Sequence, residues 1–208
     1  MDWHTNRLSF AKPKQGDLYP AGLTVKQLAR RQAMLAEAEE IVRCLPGPRE
    51  AYHCLMTGRY DLMHALVKLL DCLPGPARPV RIATLSYNGR NLTELAALLD
   101  SGKIQELTLL CSKFFREHNG SLYELTQEEL GKRGARVAAP RSHCKVITLA
   151  LPDRRRLVLE GSANLRTNSN WEQLTVISHR GLHDWHAKWI DDAAKRYEIE
   201  EKHRAAKG

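Results

Sequence analysis

The amino-acid sequence predicts an α/β fold, in which a mixed central sheet lies between helices and follows an N-terminal helical extension. Hydrophobic residues make up 43% of the 208 residues, which is typical of a globular chain with a sizeable core. Two helix-like segments come first, and each ends in the same sequence, CLPGP. From Val80 onward, short apolar runs alternate with helical segments and then form a hairpin, as in α/β domains.

The first 78 residues are interpreted as a leader followed by the helical extension. Residues 1–22 have no clear periodicity and contain several Pro and Gly residues. The segment from Thr24 to Leu45 carries apolar residues at helical spacing, and YDLMHALVKLLD repeats this pattern. Each CLPGP stops a helix, because proline and glycine cannot continue one. Two helices with a shared terminator are a simpler explanation than an internal repeat.

Residues 79–197 are interpreted as one domain. VRIATLSYN is a short strand, and Asn91 and Glu94 form a capping-box-like pair before the helix LTELAALLDSG. The charged residues 198–208 are interpreted as a tail. Further strands are predicted at IQELTLLCS, ARVAA, HCKVITLAL, RLVLEG and EQLTVIS, with helices at residues 121–133 and LHDWHAKWIDDAAKRY.

Charge and composition narrow the function classes. The formal net charge of +8 favours an acidic partner, most commonly nucleic acid. No apolar run approaches the roughly 20 residues of a membrane span, and the N-terminus lacks the apolar core of a signal peptide. We therefore expect a cytoplasmic protein without stable membrane association. The five cysteines have no CxxC spacing, so we expect reduced, mostly buried thiols and no zinc site.

A pair of cationic side chains is predicted on the strand HCKVITLAL. His143 and Lys145 are two residues apart, so in a strand they project to the same face, while Cys144 points into the opposite layer. Two cations directed at one point repel each other. A bound phosphate would remove this conflict, so the pair predicts an anion site.

Polar residues on the next two strands complete the predicted site. Gly161 allows a close backbone approach, and Ser162 and Asn164 bring a hydroxyl and an amide towards His143. Glu172, at the start of the next strand, can accept a hydrogen bond from an imidazole and orient it for nucleophilic attack. Each short motif alone usually forms a solvent-exposed strand or an ordinary turn. On adjacent strands, they predict a phosphate pocket.

The series HCK…GSAN…NWEQLTVI resembles the motif of the phospholipase D superfamily, in which H-x-K is followed by G-S-x-N and a later Glu. The resemblance covers roughly residues 80–197. It implies a phospholipase D-like α/β/α sandwich, a phosphohistidine intermediate, and no metal or other cofactor. The roles it implies are nucleophile for His143, phosphate binding for Lys145 and Asn164, pocket lining for Gly161 and Ser162, and orientation of the histidine for Glu172.

Two features depart from the superfamily pattern. The superfamily usually has an Asp five residues after the Lys, but that position is Ala150, and the nearest acid is Asp153 in a turn. The segment between the two motifs is also longer than usual, which we assign to an extended hairpin tip. We expect this tip to lie beside the pocket and to contact nucleic-acid phosphates through Arg154, Arg155 and Arg156.

Only one complete motif is present, although the superfamily mechanism uses two histidines. The sequence HAK recurs at residues 186–188, but in a predicted helix, where residues i and i+2 point about 200° apart. A single motif therefore implies a homodimer whose two protomers share a site across a two-fold axis. His179, His183 and His186 lack the acids or thiols that a metal site would need.

The leading hypothesis is a phosphodiesterase of the small, single-motif nuclease type, which acts on nucleic acid without a metal. The alternative is a phospholipase D-like nucleic-acid-binding module with weak or no catalysis, which Ala150 and the long hairpin favour. A third hypothesis is phospholipid hydrolysis or transfer. The basic charge, small size and absence of an apolar segment disfavour that third hypothesis.

Overall fold

A seven-stranded mixed sheet forms the centre of the computed structural model, which describes residues 25–42, 45–71, 73, 75–166 and 169–205. The predicted leader, Cys44 and Cys72 lie outside the described residues. The strands in chain order are β1 (Ala51–Met56), β2 (Val80–Ala83), β3 (Leu107–Leu110), β4 (Arg136–Ala138), β5 (Val146–Ala150), β6 (Arg156–Gly161) and β7 (Glu172–Ser178).

The spatial order of the strands is β1-β7-β6-β5-β2-β3-β4. β2, β3 and β4 are parallel, whereas every other neighbouring pair is antiparallel. The prediction of a mixed sheet is therefore confirmed. The edge at which β2, β3 and β4 end is called the carboxyl edge below. The start of β5 lies at this edge because Val146 pairs with Ala83.

Helices cover the sheet. The longest helix, α6, contacts β2 to β6, while α1 packs on α2, α2 on α3, and α3 on α5. All five residues of β5 are buried, as expected for a strand covered on both faces. Within the described ranges, no helix is both long and apolar enough to cross a membrane. The helices are α1 (Val25–Val42), α2 (Leu62–Asp71), α3 (Gly89–Asp100), α4 (Lys113–His118), α5 (Gly120–Gly131) and α6 (Arg180–Ala205).

The strand β1 was not predicted. Its sequence AYHCLM has only one fully buried residue, so it lacks the apolar pattern of a buried strand. β1 forms by pairing with β7, from Ala51 opposite Ile177 to Met56 opposite Glu172. The sheet therefore extends upstream of the predicted boundary at residue 79. The helix α2 also packs into the main core rather than forming a separate layer.

Three local predictions differ from the structure. Asn88 caps α3, and Asn91 is its reciprocal partner three residues into the helix. Glu94 instead forms a buried ion pair with Arg31, at 2.8 Å, which joins α3 to α1. α6 continues to Ala205 through most of the predicted tail. The short helix α4 was also missed.

Candidate active site

The residues of the predicted pocket lie at the carboxyl edge of the sheet. The HCK segment (residues 143–145) leads directly into β5, and the GSAN segment (residues 161–164) begins at the last residue of β6. Glu172 is the first residue of β7. The backbone N–H of Gly161 donates to the carbonyl of Lys145 at 3.4 Å, so the two segments are direct neighbours. The sheet register thus brings together three motif segments that are separate in sequence.

His143 and Lys145 contact each other, but they precede β5 instead of lying within the strand on which they were predicted. The Lys145 Nζ lies 3.1 Å from the His143 Nδ1 and 3.1 Å from its carbonyl oxygen. Because an ammonium can only donate, Nδ1 is the acceptor in this contact. The prediction that Cys144 points into the opposite layer is wrong, since its side chain is exposed. Outside a strand, alternation of side chains between two faces is not imposed.

The charge on Lys145 is sensitive to its surroundings. Partial burial is the main cause of a lowered pKa for the Lys145 ammonium, while the Glu172 carboxylate opposes this change. Burial penalises the charged form because the ammonium loses solvation. Glu172 is therefore near enough to Lys145 for a charge–charge interaction. A phosphate bound here would restore the favourable environment that burial removes.

The Gly161–Ser162 step depends on a close approach between β6 and β7. A Cβ atom on Gly161 would overlap the Gln173 carbonyl oxygen and lie 3.1 Å from the Leu174 Cα, so only glycine fits. The Ser162 backbone N–H donates to that Gln173 carbonyl at 3.0 Å. The Ser162 hydroxyl donates to the Glu172 carboxylate and accepts from the Gln173 N–H at 2.9 Å. Ser162 is thus held in one orientation by β7.

Asn164 is anchored by the end of β2. Its Oδ1 accepts a hydrogen bond from the Leu85 N–H at 3.2 Å. The following residue, Leu165, donates its N–H to the Thr84 hydroxyl at 3.3 Å. With the amide oxygen held by backbone, the Nδ2 hydrogens remain as donors, which is the arrangement that phosphate binding requires. Thr84 and Leu85 belong to no motif and were not predicted to contribute.

Ala150 lies far from the pocket. It is the buried last residue of β5, so it is about 17 Å along the strand from Lys145. An acid at this position would not reach a phosphate bound by Lys145. The substitution of Ala150 for the superfamily's Asp therefore removes no direct contact with the reacting group.

The arginine run also lies at the opposite edge of the sheet. β5 and β6 form a hairpin in which Val146 pairs with Glu160 and Ala150 with Arg156, so the tip points away from the carboxyl edge. The prediction that the tip lies beside the pocket is wrong for this reason. Arg155 at the tip forms an ion pair with Asp153 at 2.6 Å.

A cavity of about 750 Å³ adjoins His143 and was not predicted. It lies beyond the ends of β2 and β3, where Ser112 caps α4. Binding sites commonly lie beyond the carboxyl ends of parallel strands, so this rule could have predicted the cavity from the sequence. The Phe114 side chain in this cavity is 60% exposed, which is unusual for a large apolar group. Other lining residues are Leu85, Lys113, Glu117, Arg141 and Ser142.

The second HAK sequence lies on α6, as predicted, and takes no part in the pocket. The buried His186 contacts the Glu160 carboxylate at 3.1 Å and accepts from the Trp189 indole N–H at 3.0 Å. The contact with Glu160 fastens α6 to β6, and the contact with Trp189 lies within α6. In the part of the chain that the structure describes, no group of three His, Cys, Asp or Glu side chains is arranged to hold a metal.

Comparisons with known proteins support the fold assignment. No protein-family model matches the sequence, and neither does any curated protein. Nuc from Salmonella typhimurium, a phospholipase D family member, matches with a TM-score of 0.50 and 15% identity, over 69% of this chain and 93% of Nuc. NucT from Helicobacter pylori matches with a TM-score of 0.50 and 20% identity, over 70% of this chain and 97% of NucT. The chain therefore has the phospholipase D fold.

Proposed function

We propose that this protein is a metal-independent phosphodiesterase that cleaves nucleic acid through a phosphohistidine at His143. The observation that carries the proposal is the meeting of the HCK segment, the GSAN segment and Glu172 at the carboxyl edge. In this proposal, the imidazole, the ammonium and the anchored amide all act on one bound phosphate, which their neighbouring segments support. The net charge of +8 supports a polyanionic substrate.

In the first step, a ring nitrogen of His143 attacks the phosphorus atom of a phosphodiester. The N–P bond forms as the bond from phosphorus to the leaving oxygen breaks. Attack requires a lone pair on the attacking nitrogen, so the neutral imidazole is the reactive form. The leaving oxygen takes a proton from a second, protonated imidazole. The motif supplies one histidine per chain, so we assign this second imidazole to the partner's His143.

In the second step, water attacks the phosphohistidine. The N–P bond breaks, a phosphate monoester is released, and the partner's His143 takes the proton of the water. Both histidines then have their starting protonation states. A homodimer with the two HCK segments facing each other across a two-fold axis satisfies this requirement.

Lys145 and Asn164 stabilise the charge that develops on the phosphate oxygens. The Lys145 ammonium now lies 3.1 Å from the imidazole and can turn from the Nδ1 to a bound phosphate. The Asn164 amide keeps its orientation because the Leu85 N–H holds its oxygen. Donors that are fixed before the reaction stabilise its transition state without reorganisation. These groups replace the cation that a metal-dependent nuclease would use.

The direct test is cleavage of labelled single- and double-stranded DNA and RNA by the purified protein, with and without EDTA. We expect cleavage of at least one substrate, and we expect it to survive chelation. An activity that EDTA abolishes and magnesium restores would refute the metal-independent mechanism. Retardation of every nucleic acid without cleavage of any would instead support the binding-module hypothesis.

The intermediate can be tested separately. Rapid acid-free denaturation during turnover of a radiolabelled diester should leave label on the wild-type protein, and His143→Ala should carry none. The bond should be stable to base and labile to acid, as for a phosphoramidate. Label that persists on the variant would place the nucleophile elsewhere.

A further inference from the structure

A second cleft, of about 430 Å³, lies at the edge of the sheet opposite the candidate active site. Its position follows from the β5–β6 hairpin, whose tip forms part of the wall. Half of the ten residues that line it are arginines, and Asp153 is the one acid among them. The term arginine cleft is used here for this feature and its five arginines, Arg49, Arg154, Arg155, Arg156 and Arg180.

The arginines come from three separate parts of the chain. The Arg49 N–H donates to the Ser178 carbonyl at 2.7 Å, which places the start of β1 beside the end of β7. The N–H of His179, next to Arg180, donates to the Arg156 carbonyl at 3.1 Å. The sheet therefore brings Arg49 and Arg180 to the arginine run at residues 154–156.

Most of this positive charge is not neutralised by the protein. Arg155 forms an ion pair with Asp153 at 2.6 Å, while Arg180 is 81% exposed and lies 3.7 Å from Asp184. Among the residues that the structure describes, Arg49, Arg154 and Arg156 have no carboxylate partner. Like charges held close together destabilise a fold unless an anion lies between them.

The backbone at two of these arginines is unusual. Arg49 has φ of 68° and Arg154 has φ of 69°, and they are the two non-glycine residues with positive φ in the described ranges. Glycine or asparagine adopts this region more easily. Residues with strained backbone conformations cluster at ligand sites, where contacts with the surrounding structure hold the strained conformation. Both of them lie at the same cleft.

We propose that the arginine cleft binds backbone phosphates of the nucleic acid several nucleotides away from the bond that is cleaved. This inference rests on the proposed function and extends it to a second contact region. Arginine suits this role because its planar group pairs with phosphate through two hydrogen bonds.

The edge strand β1 connects the two regions. Arg49 lies just before β1, and Met56 at its other end lies beside Asn164 and Glu172. Six strand residues span about 20 Å, which corresponds to about six base steps of duplex. Between Arg49 and Tyr60 the one acidic residue is Glu50, whose carboxylate accepts the Gly47 N–H at 2.8 Å, and residues 51–60 contain no acid that would repel a nucleic acid.

The test compares Arg49→Gln/Arg154→Gln with wild type in retardation of a duplex of about 30 base pairs at several salt concentrations. Loss of two phosphate contacts should reduce the slope of log K against log salt by about 2, with about tenfold weaker binding. The control is Lys195→Gln/Lys202→Gln, which removes equal charge from exposed positions on α6 outside the cleft. A slope equal to that of wild type, or a change no larger than that of the control, would overturn the proposal.

A second variant distinguishes the loss of positive charge from a loss of folding stability. Arg49→Gly/Arg154→Gly deletes the same charges and suits positive φ, so it should fold at least as well as wild type. It should show the same loss of slope. If it binds DNA as wild type does but no longer gains thermal stability from inorganic phosphate, the cleft holds a small anion and the proposal is wrong.

Catalysis gives an independent measurement. The ratio of kcat/KM for the long duplex to kcat/KM for bis(p-nitrophenyl) phosphate should fall about tenfold in both variants, because the small diester cannot reach the cleft. An unchanged ratio would contradict the proposal. Retardation does not require cleavage, so a protein that binds through the cleft but never cleaves would refute only the proposed catalytic function.

Discussion

At the carboxyl edge, the Lys145 ammonium contacts the His143 imidazole, while Ser162 and Asn164 on the neighbouring segment are each held by hydrogen bonds. At the other end of the β5–β6 hairpin, arginines surround a cleft with one acid among them. The first arrangement fixes the orientation of the side chains that would contact the phosphate, and bond cleavage requires such orientation. The second arrangement supplies positive charge, which can bind a nucleic-acid backbone at many positions along its length. We infer that the candidate active site cleaves the nucleic acid, whereas the arginine cleft holds it.

The same comparison shows how weakly sequence distance predicts proximity here. Arg154 is nine residues from Lys145 yet lies at the opposite edge of the sheet. Thr84 and Leu165 are 81 residues apart and share a hydrogen bond. A strand moves the chain about 3.3 Å per residue, so the five residues of β5 are enough to put Lys145 and Arg154 at opposite edges of the sheet.

The largest expected effect is a loss of cleavage without a loss of binding, which would distinguish the candidate active site from the arginine cleft. His143→Ala removes the proposed nucleophile and, in the proposed dimer, the general acid of the partner's site, so cleavage should fall by about 10³-fold or more. Retardation should stay within about twofold of wild type, because backbone electrostatics dominate binding. Cleavage and retardation are measured in parallel, with His203→Ala at an exposed position of α6 as the matched control. Equal losses of binding and cleavage would contradict the division.

The second-largest expected effect tests the close approach of β6 and β7 at Gly161, in the candidate active site. In Gly161→Ala the new methyl group meets the Gln173 carbonyl, so β6 and β7 must separate and Ser162 must move. We expect Tm to fall by roughly 5 °C and cleavage by about 10²-fold, since small displacements of catalytic groups are costly.

The control for this prediction is Gly131→Ala in α5. An added Cβ there meets nothing within 4 Å, and alanine favours a helix, so Tm should rise slightly. Thermal melts and cleavage rates check both variants. A Gly161→Ala protein that melts and cleaves like wild type would show that the close approach is not required.

The third effect concerns pH and the Lys145 ammonium. Burial lowers its pKa, so the ammonium deprotonates at a lower pH than an ordinary lysine. As pH rises through this pKa, kcat/KM for bis(p-nitrophenyl) phosphate should fall about tenfold per pH unit. The p-nitrophenolate leaving group departs without a proton, so loss of the general-acid imidazole does not lower this rate. Lys145→Arg keeps its charge, and in this variant the alkaline fall for this substrate should disappear. The same alkaline fall in both proteins would assign it to another group.

The smallest effect tests the cavity beside His143. The exposed Phe114 ring can stack on an unpaired base, so Phe114→Ala should weaken binding of single-stranded DNA by roughly fivefold or more. Duplex binding should change less, because its bases are already stacked. Leu125→Ala, an exposed apolar residue on α5, is the control, and fluorescence anisotropy is the measurement. Equal losses for duplex and single strand would contradict base stacking.

Much of the fold and the grouping of the motif residues could be predicted from sequence. Buried runs such as VITLA and LTLL have continuous apolar patterns, and small residues with polar neighbours follow β6. These signals are local. The roles of His143, Lys145, Ser162, Asn164 and Glu172 in catalysis remain predictions, although the carboxyl edge brings these residues together.

The features that were missed depend on contacts that sequence does not display. β1 has a mixed pattern of exposure and becomes a strand only when β7 is beside it. Glu94 looked like a capping residue because the matching Arg31 is 63 residues away. The anchor of Asn164 is a backbone N–H, which every non-proline residue carries, so no residue type could have indicated Leu85.

The position of β1 also matters for anyone who would produce the domain in isolation. A shortened chain beginning at Val80 would lose the six-residue strand that pairs with β7. The backbone N–H and C=O groups along β7 would then face solvent, next to buried apolar residues such as Leu174 and Val176. Open edges of this kind pair with other chains, and the shortened protein would precipitate or assemble into non-native oligomers.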